Sequence, residues 1–110
     1  METKTEIPPG TLYMLILRSL ARMGPMHGYG IAQFIQLTSD DVLQVEEGSL
    51  YPALQRMLIK GWVAAEWKQS ENNRRARYYK MTPEGRKQMA REVGEFERVM
   101  AAIGRVIEPA

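Results

Sequence analysis

Residues 46–58 read EEGSLYPALQRML, and they form either a plain core helix or a helix with a working outer face. Leu50, Leu54, Met57 and Leu58 recur at i, i+4, i+7 and i+8, the spacing of one buried stripe on an α-helix. At ~100° per residue, Pro52, Gln55, Arg56 and Ile59 fall on the opposite side. A proline in a helix interior removes a hydrogen bond, but in the first turn its missing N–H has no partner to lose. Gly48 and Ser49 precede it, and Ser49 is the expected N-cap. The proline is therefore expected to start the helix rather than break it. Tyr51 lies at the edge between the two faces.

Downstream, Gly61 ends this helix. WVAAEWKQ (62–69) alternates, with Val63, Ala65 and Trp67 on one face and Ala64, Glu66 and Lys68 on the other. SENN (70–73) reads as a loop and RRARYYKM (74–81) as a return strand, since Tyr78 and Tyr79 suit β-structure. The hairpin from Lys68 to Lys80 carries Lys68, Arg74, Arg75, Arg77 and Lys80 against Glu71. Thr82 as N-cap and Pro83 at the first helical position then open a helix to about Ile107, with Glu84 at its positive end. Met89, Val93, Phe96, Met100, Ile103 and Ile107 are spaced alternately four and three apart, a heptad-like seam.

Upstream, Pro8, Pro9 and Gly10 predict an extended, frayed arm over residues 1–10. TLYMLILRSLARM (11–23) predicts a helix capped by Thr11, apolar nearly all round. Such a helix must be covered on every side, which in a small domain points to a second subunit. Gly24 and Pro25 stop it. A second helix is expected from His27 or Gly28, with Ile31, Phe34, Ile35 and Thr38 on one face, then a turn at SDD (39–41) and a β-prone VLQV (42–45).

The order helix, helix, short strand, helix, hairpin, long helix predicts a mainly α fold with a small β-hairpin: a winged helix-turn-helix plus a long C-terminal helix. The expected divisions are an N-terminal arm (1–10), a winged helix-turn-helix domain (11–82) and a dimerisation helix (83–110). A chain of 110 residues, 45% hydrophobic, supports one domain with a small core. Catalytic chemistry is not expected. There is no cysteine, His27 is the one histidine, and no glycine loop of the phosphate-cradling type occurs, so neither a metal site, a cofactor nor a histidine-based triad is foreseen. His27 itself reads as a helix-start or packing residue. The absence of cysteine fits a cytoplasmic setting. No apolar run reaches bilayer length, and METKTEIPPG (1–10) lacks an apolar signal core.

Net charge is only +2, so any nucleic-acid reading rests on where the charge sits. In a winged helix-turn-helix the second helix of the pair enters the major groove. The expected contacts are N–H groups around Ser49, Tyr51 and Pro52 on phosphates, and Gln55 and Arg56 on base edges. Arg74, Arg75 and Arg77 of the wing would meet phosphates or a narrow minor groove, and Asn72 and Asn73 would make a tight tip. Trp62, Trp67 and Tyr79 read as packing. The competing reading is a winged helix that docks a protein, but such a surface favours apolar anchors with few charges at its centre.

The segments GTLYMLILRSL (10–20), GPMHGYGIAQFI (24–35), VEEGSLYPALQRM (45–57), KGWVAAEW (60–67) and NNRRARYYKMTPEGRKQM (72–89) make the chain resemble the PadR family of bacterial transcriptional regulators, in its short one-domain form. The resemblance implies a homodimeric repressor on a palindromic operator, with double-stranded DNA as partner. It implies pairing through the last and first helices, here Leu12 and Leu15 together with Met89, Val93, Phe96, Met100, Ile103 and Ile107. It puts Ser49, Tyr51, Pro52, Gln55 and Arg56 on the reading helix. Some members release DNA on binding a small aromatic effector, and in one branch a tryptophan of the last helix stacks on it. This last helix has no tryptophan, Phe96 being its aromatic residue.

Overall fold

The computed structural model describes residues 5–7, 10–69 and 71–109. In chain order the elements are β1 (Thr5–Glu6), α1 (Leu12–Met23), β2 (Met26–His27), α2 (Gly28–Thr38), β3 (Leu43–Gln44), α3 (Glu47–Ile59), β4 (Val63–Gln69), β5 (Arg75–Met81) and α4 (Pro83–Ile107). This is the mainly α winged helix-turn-helix, with its long last helix, that the sequence predicts.

Capping chemistry sets the firmest boundaries. The Gly85 N–H donates to Thr82 Oγ1 at 3.0 Å, and the Thr82 hydroxyl donates in turn to the Gly61 carbonyl at 2.6 Å. One side chain thus caps α4 and ties it to the end of α3. Gly85 must be glycine, because a Cβ there would run into the carbonyl oxygen of Trp62. His27 caps α2: its Nδ1 accepts from the Gly30 N–H at 2.9 Å. Thr11 occupies the N-cap of α1 without the side-chain capping bond. Gly24 and Gly61 end α1 and α3 at φ +81° and +78°, a region that favours glycine.

The start of α3 differs from expectation. Its N-cap is Glu46, in an extended conformation, and the Glu46 carbonyl accepts from the N–H groups of Ser49 (3.0 Å) and Leu50 (2.9 Å). Ser49 is therefore inside the first turn and does not cap it. Pro52 lies inside the helix, not at its start. Its missing N–H removes the bond to the carbonyl of Gly48, which is exposed and open to water. Glu47 in the first turn complements the positive end of the helix dipole.

Strand pairing also exceeds the expected hairpin. β4 and β5 pair antiparallel from Val63↔Met81 to Gln69↔Arg75, and β2 adds a third antiparallel strand through Met26↔Tyr79 and His27↔Tyr78. The dipeptide after Pro25 is extended because β5 offers it an open edge, and α2 begins at Gly28 as expected. β1 pairs parallel with β3, Thr5 against Leu43 and Glu6 against Gln44. Thr5 and Glu6 of the expected frayed arm are thus strand-paired, and Ile7 packs against the core. Residues 1–4, 8 and 9 of that arm lie outside the described residues.

One core joins all four helices and the sheet: Ile16, Leu17 and Leu20 of α1, Ile31 and Ile35 of α2, and Leu50, Ala53, Leu54 and Met57 of α3, closed by Val63, Tyr79 and Met89. Each fully buried aliphatic side chain contributes about 1.5–3 kcal/mol. α1 is mostly covered within the single chain, since Met14, Ile16, Leu17, Ser19 and Leu20 are buried while Arg18, Arg22 and Met23 are exposed. A second subunit is not needed to hide it. By contrast, α4 buries only Gly85 and Met89.

Candidate nucleic-acid interface

The stripe that buries Leu50, Ala53, Leu54 and Met57 turns Ser49, Tyr51, Pro52, Gln55, Arg56 and Ile59 outward, and all six are exposed. Within this outer face the residues diverge. Tyr51 leans toward α2, where its ring occupies the space a side chain at Gly28 would need: a Cβ there would sit 2.7 Å from its Cε1. Burial, then the Glu47 carboxylate, then Tyr79 push the Tyr51 hydroxyl above its ordinary pKa. It stays protonated at neutral pH, free to donate. Arg56 turns the other way. Its Nε donates to the Tyr13 hydroxyl at 2.5 Å, and its guanidinium carbon lies 5.6 Å from the centre of that ring. Tyr13 meets Trp62 edge to face at 5.4 Å, and Lys60 Nζ lies 5.2 Å from the Trp62 ring. Arg56 therefore sits at the margin of the outer face, held by α1, while Pro52, Gln55 and Ile59 form its centre.

The N–H groups assigned to phosphates need correction. Those of Ser49 and Leu50 are spent on the Glu46 carbonyl, and Pro52 has none. The helix begins instead at a pair of carboxylates, Glu46 and Glu47, which repel phosphate.

Positive charge comes from the hairpin. Asn73 takes φ +60° at its tip, a conformation asparagine tolerates better than most residues, and Asn72, Asn73 and Arg74 are exposed. Arg75 lies over the Trp67 ring at 5.0 Å, Arg77 over Tyr79 at 5.9 Å, and Lys68 over Tyr78 at 5.7 Å. Lys68 also pairs with Glu66 at 3.2 Å, so it is partly neutralised. Trp67 is 56% exposed, which corrects its reading as a packed residue.

Hairpin and helices meet across an open cleft of about 770 Å³. One wall is His27, Tyr29, Gln33 and Tyr51; the other is Trp67, Asn72, Arg74, Arg75, Arg77 and Tyr78. The fold thus brings Tyr51, Asn72 and the three arginines to one space and leaves Ser49, Pro52, Gln55 and Arg56 on the neighbouring helix surface. Sequence reasoning missed His27, Tyr29, Gln33, Trp67 and Tyr78. The signal for Tyr29 and Gln33 was present: they lie four apart, off the face of Ile31 and Ile35. Trp67 and Tyr78 had none, because alternation cannot tell where a sheet runs past its core.

The residues expected to pair two subunits split as well. Leu12 and Leu15 are half-buried against the chain's own core, Met89 belongs to that core, and Val93 packs on it. Phe96, Met100, Ile103 and Ile107 are exposed, and Val99 and Val106 widen their row. No helix among the described residues is long and apolar enough to cross a membrane.

The model of the "Transcriptional regulator PadR-like family" matches residues 16–91. A 37.1 kDa uncharacterized protein in transposon Tn4556 of Streptomyces fradiae is 38% identical over 97 residues, 88% of this chain. The chain spans only 25% of that protein's length. An uncharacterized protein X from Lysinibacillus sphaericus is 27% identical, with 96% of this chain and 95% of the relative aligned. Among solved structures, a transcriptional regulator from Clostridium thermocellum is 28% identical, superposes with a TM-score of 0.81, and matches over 90% of this chain and 95% of its own. A PadR family transcriptional regulator from Eggerthella lenta is 27% identical, with a TM-score of 0.74 over 92% and 85% of the two chains. One from Clostridium difficile is 26% identical, with a TM-score of 0.76 over 89% and 99%.

Proposed function

Because the chain belongs to the PadR-like family of transcriptional regulators, we propose that it binds duplex DNA as a homodimer and represses by occupying a palindromic operator. Residues 11–82 act as the reading domain and 83–110 as the pairing helix. Two α3 helices enter successive major grooves about 34 Å apart. Gln55, at the centre of the exposed face, reads a base edge; Arg56 reads from its margin with its terminal nitrogens. Ser49, Tyr51 and Pro52 lie along the groove wall. The wing, with Asn72, Asn73, Arg74, Arg75 and Arg77, follows the flanking backbone.

The observation that carries this reading is the cleft, in which Arg74, Arg75 and Arg77 face the phenol of Tyr51 across a gap open to a phosphate strand. Glu46 and Glu47 at the start of α3 keep phosphates off that end, so the backbone is held by the wing rather than by the helix terminus. The arginines and asparagines of the wing disfavour the rival reading of a protein-docking surface, which favours apolar anchors with few charges at its centre. Pairing is supported by the row Phe96, Val99, Met100, Ile103, Val106 and Ile107, each between 39% and 83% exposed on a single chain. A small aromatic effector would release DNA by changing the angle between subunits, because half-site spacing tolerates little error. Phe96 is the aromatic residue of α4, so stacking between tryptophans of that helix is not part of this mechanism.

Selection from random duplexes with the purified protein tests the reading. The expected result is a palindrome with half-sites one helical turn apart. A dimer making about 6–10 phosphate contacts should lose about 10³–10⁵-fold in affinity between about 50 and 200 mM salt. A protein that selects no sequence and shows a flat salt dependence does not act on DNA.

A further inference from the structure

Trp67 is the aromatic residue that the hairpin leaves exposed at the cleft. Val63, Ala65, Trp67 and Gln69 share one face of β4, and cross-strand pairing puts Tyr79, Arg77 and Arg75 on the same face of β5. Along this face Val63 and Tyr79 are in the core, at 3% and 6% exposure, whereas Trp67 is 56% exposed. The sheet runs off its core between Ala65 and Trp67 and continues as a two-stranded overhang. Such a ribbon is weakly held by itself. The Arg75 guanidinium lies 5.0 Å from the centre of the indole, one step diagonally across the strands, and both side chains line the cleft opposite Tyr51.

We propose that Trp67 is a positioning residue for the DNA backbone: its indole holds the Arg75 guanidinium on the cleft-facing side of the wing, where a phosphodiester oxygen can take it. This rests on the DNA-binding reading above. A guanidinium stacked on an aromatic face keeps its edge donors free, because the stack uses only its flat face. The stack therefore orders Arg75 without consuming the N–H groups a phosphate needs, which a carboxylate partner would do. No ion pair engages Arg74, Arg75 or Arg77 among the described residues, whereas Lys68 on the opposite face is paired with Glu66. Arg75, Arg77 and the indole share the face that looks at α3, and Arg74 and Glu71 complete that wall of the cleft. An indole serving only to stiffen the hairpin would do so equally well on the outer face, away from the cleft.

The chain holds two tryptophans, so Trp62→Phe leaves Trp67 as the single indole reporter. In that background, adding a mixed-sequence DNA duplex at low salt should change Trp67 emission in a saturable way. With Trp62 intact, Trp67→Ala should weaken duplex binding about three- to fivefold and lower the log–log salt slope by about one unit. Trp67→Tyr should restore most of both, and Arg75→Ala should add nothing further to Trp67→Ala. Emission that ignores a saturating duplex, a Trp67→Ala protein with unchanged affinity and slope, or losses from Trp67→Ala and Arg75→Ala that add, each overturn the role. The emission measurement keeps residue 67 intact, so it decides even if Trp67→Ala misfolds. A wild-type protein that binds no duplex removes the DNA-binding reading itself; one that binds while Trp67→Ala is unaffected removes only this role.

Discussion

α3 and α4 are both amphipathic, yet they use the property in opposite ways. α3 buries its apolar stripe, Leu50, Ala53, Leu54 and Met57, inside its own chain and turns Gln55 and Pro52 to solvent. α4 anchors its first turns through Thr82, Gly85 and Met89, then carries Phe96, Val99, Met100, Ile103, Val106 and Ile107 out uncovered. A helix whose apolar stripe is already satisfied is free to offer side chains such as Gln55 and Arg56, and that suits a hydrated, charged partner. A helix whose apolar row is uncovered offers area, and that suits another protein surface. On the proposed reading the same chain therefore addresses two partners with two helices, and the contacts of one do not compete with those of the other.

The largest test of this contrast is a matched pair of truncations. Leu54→Ala should cost about 2–5 kcal/mol of unfolding free energy, measured by denaturant titration. Ile103→Ala, in a chain dilute enough to be single, should cost under about 0.5 kcal/mol. Equal losses would erase the distinction between the helices. Next, Phe96→Glu with Ile103→Glu should leave the single chain folded but keep it single in sedimentation, and duplex affinity should fall about 100-fold as the second half-site contact is lost. A double variant that still sediments as a pair would move the pairing surface elsewhere. On α3, Gln55→Ala should change preference at one base-pair position by about 1–3 kcal/mol, with the salt slope unaltered. A binding-site logo identical to wild type would take base reading away from Gln55.

The smallest effect is at Tyr51. Its hydroxyl pKa is raised above the ordinary 10.0, first by burial and then by Glu47 and Tyr79. A raised folded-state pKa means that the associated stability is complete below pH ~10. It is lost as pH climbs through the folded value. Tyr51→Phe should therefore flatten the alkaline limb of a stability–pH curve and leave the neutral region unchanged. An alkaline limb of wild-type shape would separate Tyr51 from that loss.

Legibility followed the range of the forces involved. α4 was readable from Pro83 to Ile107 because capping by Thr82, a proline at the first position and a seam of fixed period are all local signals. The start of α3 was misplaced because Gly48–Ser49 is a good local cap, but the extended backbone at Glu46 begins the helix earlier. The wing arginines were readable as a charge cluster. The stacking of Arg75 on Trp67 was not, since Trp67 faces the cleft only by virtue of where the sheet outruns the core. Arg56 was correctly put off the buried face, yet its bond to Tyr13 joins residues far apart in the chain, and no pattern within α3 announces it.

What the amino-acid order determined by itself was the element sequence, the apolar stripe of α3, the start of α4 and the basic hairpin, because each depends on backbone preference or periodicity within a few turns of chain. Only the tertiary structure decided which side chains share a space: Tyr51 against Gly28, Arg56 on Tyr13, Arg75 over Trp67 opposite α3, and Met89 withdrawn into the core from an otherwise open row. Those contacts follow from how helices and sheet pack around one centre, and from where the sheet ends relative to it, which residue spacing does not encode.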